Sequence, residues 1–158
     1  MLFRSVNAFL AHEGIHWSAH PADEEVRREY DQLLHILNSR PIDEILRAPS
    51  MEDPTSLAVM EVLIKAQTPA MFTDLNLASL AVCRAVSISL AHGNSDTSCF
   101  AYVMFARVAG PRYGQYDAGF RLGQVGFDLI ERQENRRFRA STILVFVFTG
   151  LRWIKHVR

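Results

Sequence analysis

Sulfur chemistry is scarce in this chain. Its two cysteines, Cys83 and Cys99, form no C-x-x-C pair and have no ligand-spaced histidines beside them. This excludes a disulfide framework and a zinc ribbon. Both fall on apolar helical stretches and read as buried free thiols in a reducing cytoplasm. Long apolar runs are missing as well. The run Ile143 to Phe148 falls well short of the ~20 residues that a membrane helix needs. The N-terminal stretch MLFRSVNAFLAHEG is too short and too interrupted for a secretory signal. No GxxxxGK[ST] phosphate loop, no kinase set and no G-x-S-x-G elbow occurs, so the chemistry those motifs perform has no residues to carry it. Net charge is absent too, with 17 Lys/Arg against 17 Asp/Glu. Neither that balance nor any regular motif suits nucleic acid. The expectation is a cytoplasmic protein with no cofactor, no nucleic-acid partner and no membrane span.

The charges present are unevenly placed. Residues 1–80 carry 6 Lys/Arg and 12 Asp/Glu, whereas residues 81–158 carry 11 and 5. The plain expectation is two surfaces that attract each other. The sharper one is a basic C-terminal surface facing an acidic partner. Arg132, Arg136, Arg137 and Arg139 form the densest basic group, and Arg112 and Arg121 are further candidates for partner contacts. Arg112 and Arg121 also have Asp117 and Asp128 nearby in sequence as potential ion-pair partners.

Apolar spacing predicts helices almost throughout. A peripheral segment covers about Leu2 to Ala11. A helix from Pro21 carries Asp23, Glu24 and Glu25 in its first turn and buries Val26, Tyr30, Leu33, Leu34 and Leu37. Pro41 opens a short helix to about Arg47. Pro54 starts another that buries Leu57, Met60, Leu63 and Ile64 and stops near Pro69. Thr73 is placed to cap an almost continuously apolar helix to His92, and Ser95 or Asp96 to cap the next. The aromatics Phe100, Tyr102, Phe105, Tyr113, Tyr116, Phe120 and Phe127 read as core. The run Thr142 to Phe148 favours a strand by composition, but the length and neighbours of Phe138 to Lys155 favour a buried helix, with Val145, Phe148 and Trp153 exposed for self-association.

The most informative stretch is His92 to Ile130. It reads as two helices, the first Ser95 to Ala109, joined by the turn Gly110-Pro111-Arg112-Tyr113-Gly114. The second carries Gly119, Gly123 and Gly126 on one face, because the spacings are four and three. Glycine in a helix costs up to ~1 kcal/mol relative to alanine. Three on one face imply a neighbouring helix too close to admit a Cβ. Gly114, Tyr116, Gly119 and Gly126 occupy the small and aromatic positions of a tetratricopeptide repeat. The predicted fold is all-α, a single domain over 1–158 of antiparallel helical hairpins in a tetratricopeptide-like array.

The segment His12-Glu13-Gly14-Ile15-His16 matches the zincin pattern H-E-x-x-H, with His20 four residues on. A small zinc-dependent hydrolase is therefore the rival function. Gly14 lies inside the motif and Pro21 soon after it, so the expectation is a loop with incidental histidines and no metal. His92, Asp96 and Cys99 are adjacent in sequence only, which is not what a nucleophilic triad needs.

The residues His20-Pro21, Tyr30, Asp53-Pro54, Phe72-Thr73-Asp74, His92-Gly93-Asn94-Ser95-Asp96, Ser98-Cys99-Phe100-Ala101-Tyr102, Gly110-Pro111-Arg112 and Gly119-Phe120-Arg121, with Trp17 and Trp153, resemble one family. These are the very large bacterial hybrid signalling proteins, which join a serine/threonine-kinase-like domain, an AAA-type ATPase module, a helical tetratricopeptide-like region, a GAF domain and a sensor histidine kinase. The resemblance runs from about Gly14 to Arg158 and falls on the helical region after the ATPase module. It implies a non-catalytic interaction and relay module whose partners are adjoining signalling domains or another protein. It also implies a fragment of a longer array, since the family's helices continue past the last residue.

Overall fold

The computed structural model describes residues 2–16, 18–132 and 137–151. Within them the chain forms eight α-helices: α1 (Leu2–His12), α2 (Asp23–Ser39), α3 (Ile42–Leu46), α4 (Pro54–Thr73), α5 (Leu75–His92), α6 (Ser98–Tyr113), α7 (Tyr116–Arg132) and α8 (Arg139–Val145). The last runs on into a π-helical turn, Phe146–Leu151. No strand occurs among the described residues; one isolated bridge links Ser50 and Asn94.

Helix α5 is the centre, in contact with α2, α4 and α6. By length and composition Leu75–His92 is apolar enough to cross a membrane, with 61% of it buried inside the fold. Cys83 and Val86 are fully buried and share one core with Tyr30 and Leu33 of α2, Met60 and Leu63 of α4, and Phe105 of α6. That core extends through Leu122, Val125 and Ile130 of α7. Leu10 ties α1 onto it. Residues with helical period on one face bury that face, and an almost wholly apolar helix such as α5 must be covered from several sides.

Two boundaries differ from the sequence expectation. Helix α4 continues through Pro69 to Thr73, and α6 continues through Gly110 and Pro111 to Tyr113. A helix-interior proline costs ~3 kcal/mol, yet both lie in the closing turns, where Ala70, Val108 and Ala109 are already buried. The true turn is Gly114-Gln115. Gly114 takes a left-handed conformation (φ 69°), and the N–H groups of Gly114 and Gln115 donate to the carbonyls of Gly110 and Ala109. A Cβ resists that conformation, so glycine suits the position. The final segment is helical, as its length and neighbours predict, although it tightens into α8 and then loosens into the π turn.

The cap of α5 is Asp74 rather than Thr73. Its carboxylate accepts from the N–H groups of Asn76 and Leu77, both at 3.0 Å, and lies 2.9 Å from His20 Nδ1. Partial burial pushes the Asp74 carboxyl up, but the Leu77 amide, His20 and the Asn76 amide together outweigh it and hold the pKa below the ordinary value. A depressed carboxylate contributes stability above its unfolded pKa and loses it as pH falls through the folded one. Asp74→Ala is therefore expected to cost about 1 kcal/mol at neutral pH, as cap loss does. The difference from wild type should vanish in acid, below the usual carboxylate range. Urea unfolding at both pH values measures this.

Candidate interaction site

Helices α6 and α7 form the most intimate pair in the molecule. A Cβ on Gly126 would stand 2.5 Å from the Cys99 carbonyl oxygen and 3.1 Å from Tyr102 Cβ. One on Gly119 would stand 2.9 Å from the Ala106 Cα. The register, 119 against 106 and 126 against 99, makes the pair antiparallel. Gly123 differs. It faces the ring of Phe146 in the π turn, at 3.3 Å from a would-be Cβ, and not the α6 backbone. Residues three and four apart on a helix are neighbours but diverge in angle, so Gly119 and Gly126 meet α6 while Gly123 meets the next layer. Phe146 also stacks between Phe120 and Phe127.

The connection between α5 and α6 is a buried polar knot. Asn94 Nδ2 donates to the Ile45 carbonyl at 2.8 Å, and Asn94 Oδ1 accepts from the Tyr102 hydroxyl at 2.7 Å. Its backbone N–H donates to the Pro49 carbonyl, and its carbonyl accepts from the Met51 N–H, both at 2.8 Å. Gly93 before it has φ 100°, and a Cβ there would overlap the Pro49 carbonyl. Ser98 Oγ accepts from the Ser95 N–H and lies 2.8 Å from Ser89 Oγ. Neither Ser95 nor Asp96 is the residue that caps α6. The cap position is Thr97, which makes no side-chain cap bond. Burial pushes the Tyr102 phenol well above its ordinary range. Asn94 and Tyr102 were not singled out for this pairing from the sequence. The only signal was an asparagine between two apolar helices.

The candidate arginines do not form one surface. Arg112 reaches across to α2 and α5, donating to Asp23, to Asn76 Oδ1 at 2.6 Å and to Ser79 Oγ at 3.1 Å. Its partner is Asp23, not Asp117 or Asp128, because α6 carries it past the turn toward α5. Arg137 grips Glu61 of α4 through both guanidinium nitrogens and lies over the Phe138 ring. Arg139 pairs with Glu131 at 2.9 Å. Arg121 and Arg132 are exposed. Arg136 lies outside the described residues, as do Trp17 and Trp153. Arg112–Asp23, Arg137–Glu61 and Arg84–Glu29 each join the basic half to the acidic half, so part of the charge asymmetry is spent inside the molecule. An exposed pair such as Arg137–Glu61 contributes about 0–1 kcal/mol.

Helix α1 ends at His12, and Gly14 turns left-handed at φ 77°. His12 and His16 therefore do not share a helical turn, which the H-E-x-x-H mechanism requires. No group of three or more His, Cys, Asp or Glu side chains is placed to hold a metal among the described residues.

Both cysteines are buried thiols, neither of them in a disulfide. Burial raises the Cys83 thiol far above its ordinary value and the Cys99 thiol to about 11. The thiolate is the reactive form, so neither should be modified by maleimide in the native protein at pH 8. Both should react after denaturation, as mass spectrometry would record.

Several grooves open on the surface of the described residues, and three of them bear on the residues above. One of about 730 Å3 lies along α2 and the end of α6, lined by Arg27, Arg28, Asp31 and Tyr113 among others. One of about 560 Å3 flanks the polar knot at Ser50, Glu61, Asp96 and Arg137. A small one of about 100 Å3 lies between α4, α5 and α6. No family model matches the chain, and no curated protein or solved structure matches it either.

Proposed function

We propose that this chain is a non-catalytic helical interaction and relay module, tetratricopeptide-like in its second half, within a cytoplasmic signalling protein that couples an AAA-type ATPase to a sensor histidine kinase. The observation that carries this reading is the α6–α7 hairpin. Gly119 and Gly126 let the two backbones approach more closely than a Cβ at either position would allow. Stacked hairpins of that kind transmit displacement between neighbouring domains and offer grooves to partners. The resemblance of the HGNSD-x-SCFAY stretch points the same way. In this structure that stretch is a buried brace holding α5, α6 and the loop after α3 together.

The decisive measurement is binding of the purified chain to an ATPase module and to a GAF–histidine-kinase segment from such a hybrid protein, by calorimetry. Micromolar affinity for at least one, with a changed ATPase or autophosphorylation rate, is the expected outcome. No binding to either would remove the reading.

Self-association belongs to the same proposal. Leu144, Val147 and Phe148 are exposed on the last helix, an apolar face that favours contact. Sedimentation velocity should detect a concentration-dependent dimer that Phe148→Ser weakens. A clean monomer at high concentration would argue against it.

A further inference from the structure

The groove between α4, α5 and α6 combines features found together nowhere else among the described residues. Its apolar walls include Met71, Leu75, Ala78, Met104 and Val108, and its polar lining is Gln67, Ser79 and Arg107. Its lip is apolar and stands out in solvent. Leu75 is 67% exposed, and Phe72, one residue beyond Met71, is 83% exposed. Large apolar side chains held in water at the edge of an apolar groove mark a contact surface.

Gln67 supplies the second observation. It is 1% exposed, and its Oε1 has no hydrogen-bond partner. Buried carboxamide oxygens are normally bonded, and an unpaired one is unfavourable. A ligand that brings a donor removes that penalty. Gln67 lines the groove.

Arg107 is the third. It is exposed and makes no ion pair among the described residues, whereas Arg84, Arg112, Arg137 and Arg139 each face a carboxylate. The groove lining contains no acidic side chain. The site therefore offers an apolar slot, a buried acceptor and a free cation at its rim.

We propose that this groove docks a segment of a partner protein in which a tyrosine is flanked by acidic residues. The ring lies against Met71, Leu75 and Met104, the phenol O–H donates to Gln67 Oε1, and the flanking carboxylates face Arg107. The idea rests on the interaction reading above and names the surface and the chemistry of its partner.

The test uses the whole chain and a short fluorescein-labelled peptide with a central tyrosine between glutamates, followed by polarisation. Saturable binding is expected. A peptide with phenylalanine in place of tyrosine should bind about tenfold more weakly, the value of one recovered hydrogen bond. Gln67→Leu should bring the two peptides to equal affinity while the protein stays folded by circular dichroism. Arg107→Glu and Phe72→Ser change exposed side chains and leave the core intact. Each should weaken the tyrosine peptide about tenfold, with the Arg107 effect shrinking as salt rises. Absence of saturable binding to the folded wild type would overturn the proposal. So would a tyrosine preference that Gln67→Leu leaves unchanged, or flotation with lipid vesicles that depends on Phe72 without peptide binding. If the peptides fail while the ATPase or kinase segments still bind, this groove is excluded and the relay reading stands. If all fail, both fall.

Discussion

Gly126→Ala should unfold this protein at a temperature about 5–10 °C below wild type, the equivalent of about 2–3 kcal/mol for a chain of this size. The new Cβ would meet the Cys99 carbonyl oxygen at 2.5 Å and the Val103 side chain at 3.1 Å. A carbonyl inside a helix cannot move aside without breaking its own ladder, so α6 and α7 must separate. Alanine returns up to ~1 kcal/mol in helix propensity, and the expected loss is what remains after that gain. Gly123→Ala is the internal control. Its Cβ would meet only the Phe146 ring, at 3.3 Å, and a ring on a π-helical turn can tilt. That variant should stay within about 1 kcal/mol of wild type, because propensity offsets the crowding. Thermal unfolding of the two variants side by side decides the matter. Equal effects would mean that backbone nesting is not what the glycines provide.

Asn94→Ala should cost about 3–5 kcal/mol, among the largest effects of any truncation here, because it leaves two buried groups unpaired. The Tyr102 hydroxyl loses its acceptor and the Ile45 carbonyl loses its donor. Both sit in the core, since Tyr102 is 0% and Ile45 1% exposed. Tyr102→Phe alone leaves Asn94 Oδ1 unpaired and should cost less. Combined with Asn94→Ala, it removes the orphaned hydroxyl, so the double variant should be more stable than the sum of the singles predicts, by about 1 kcal/mol or more. Urea titrations of the four proteins give the cycle directly. Additive losses would mean that the two side chains act independently, contrary to the 2.7 Å bond between them.

The helical content was legible because it is written in local spacing. Val26, Tyr30, Leu33 and Leu37 recur at helical intervals, and all four are buried. Pro54 reads as a helix start, and α4 begins there; the Asp53 cap, whose carboxylate accepts from the Ser56 N–H at 2.7 Å, is seen only in the structure. The ends of α4 and α6 were less legible. Pro69 and Pro111 each signal a stop in local terms, and each is overridden by burial of the residues around it. The arginine partners were not legible at all. Asp23 and Arg112 are far apart in sequence, so only the docking of α2 across α5 brings them together. The docking groove was equally hidden. Gln67 reads as one polar residue in a helix until its oxygen is seen to lack a partner.

By itself the sequence settled what depends on nearest neighbours along the chain: the apolar stripes and the glycines three and four apart on α7. Tertiary structure alone decided which surface each stripe meets. It gave Gly119 and Gly126 to α6 but Gly123 to Phe146, turned Asn94 into the brace between α3, α5 and α6, and drew Arg112 and Arg137 into internal pairs. The reason is physical. Periodicity records that a side must be covered, whereas the identity of the cover depends on contacts between residues distant in the chain, which no local pattern encodes.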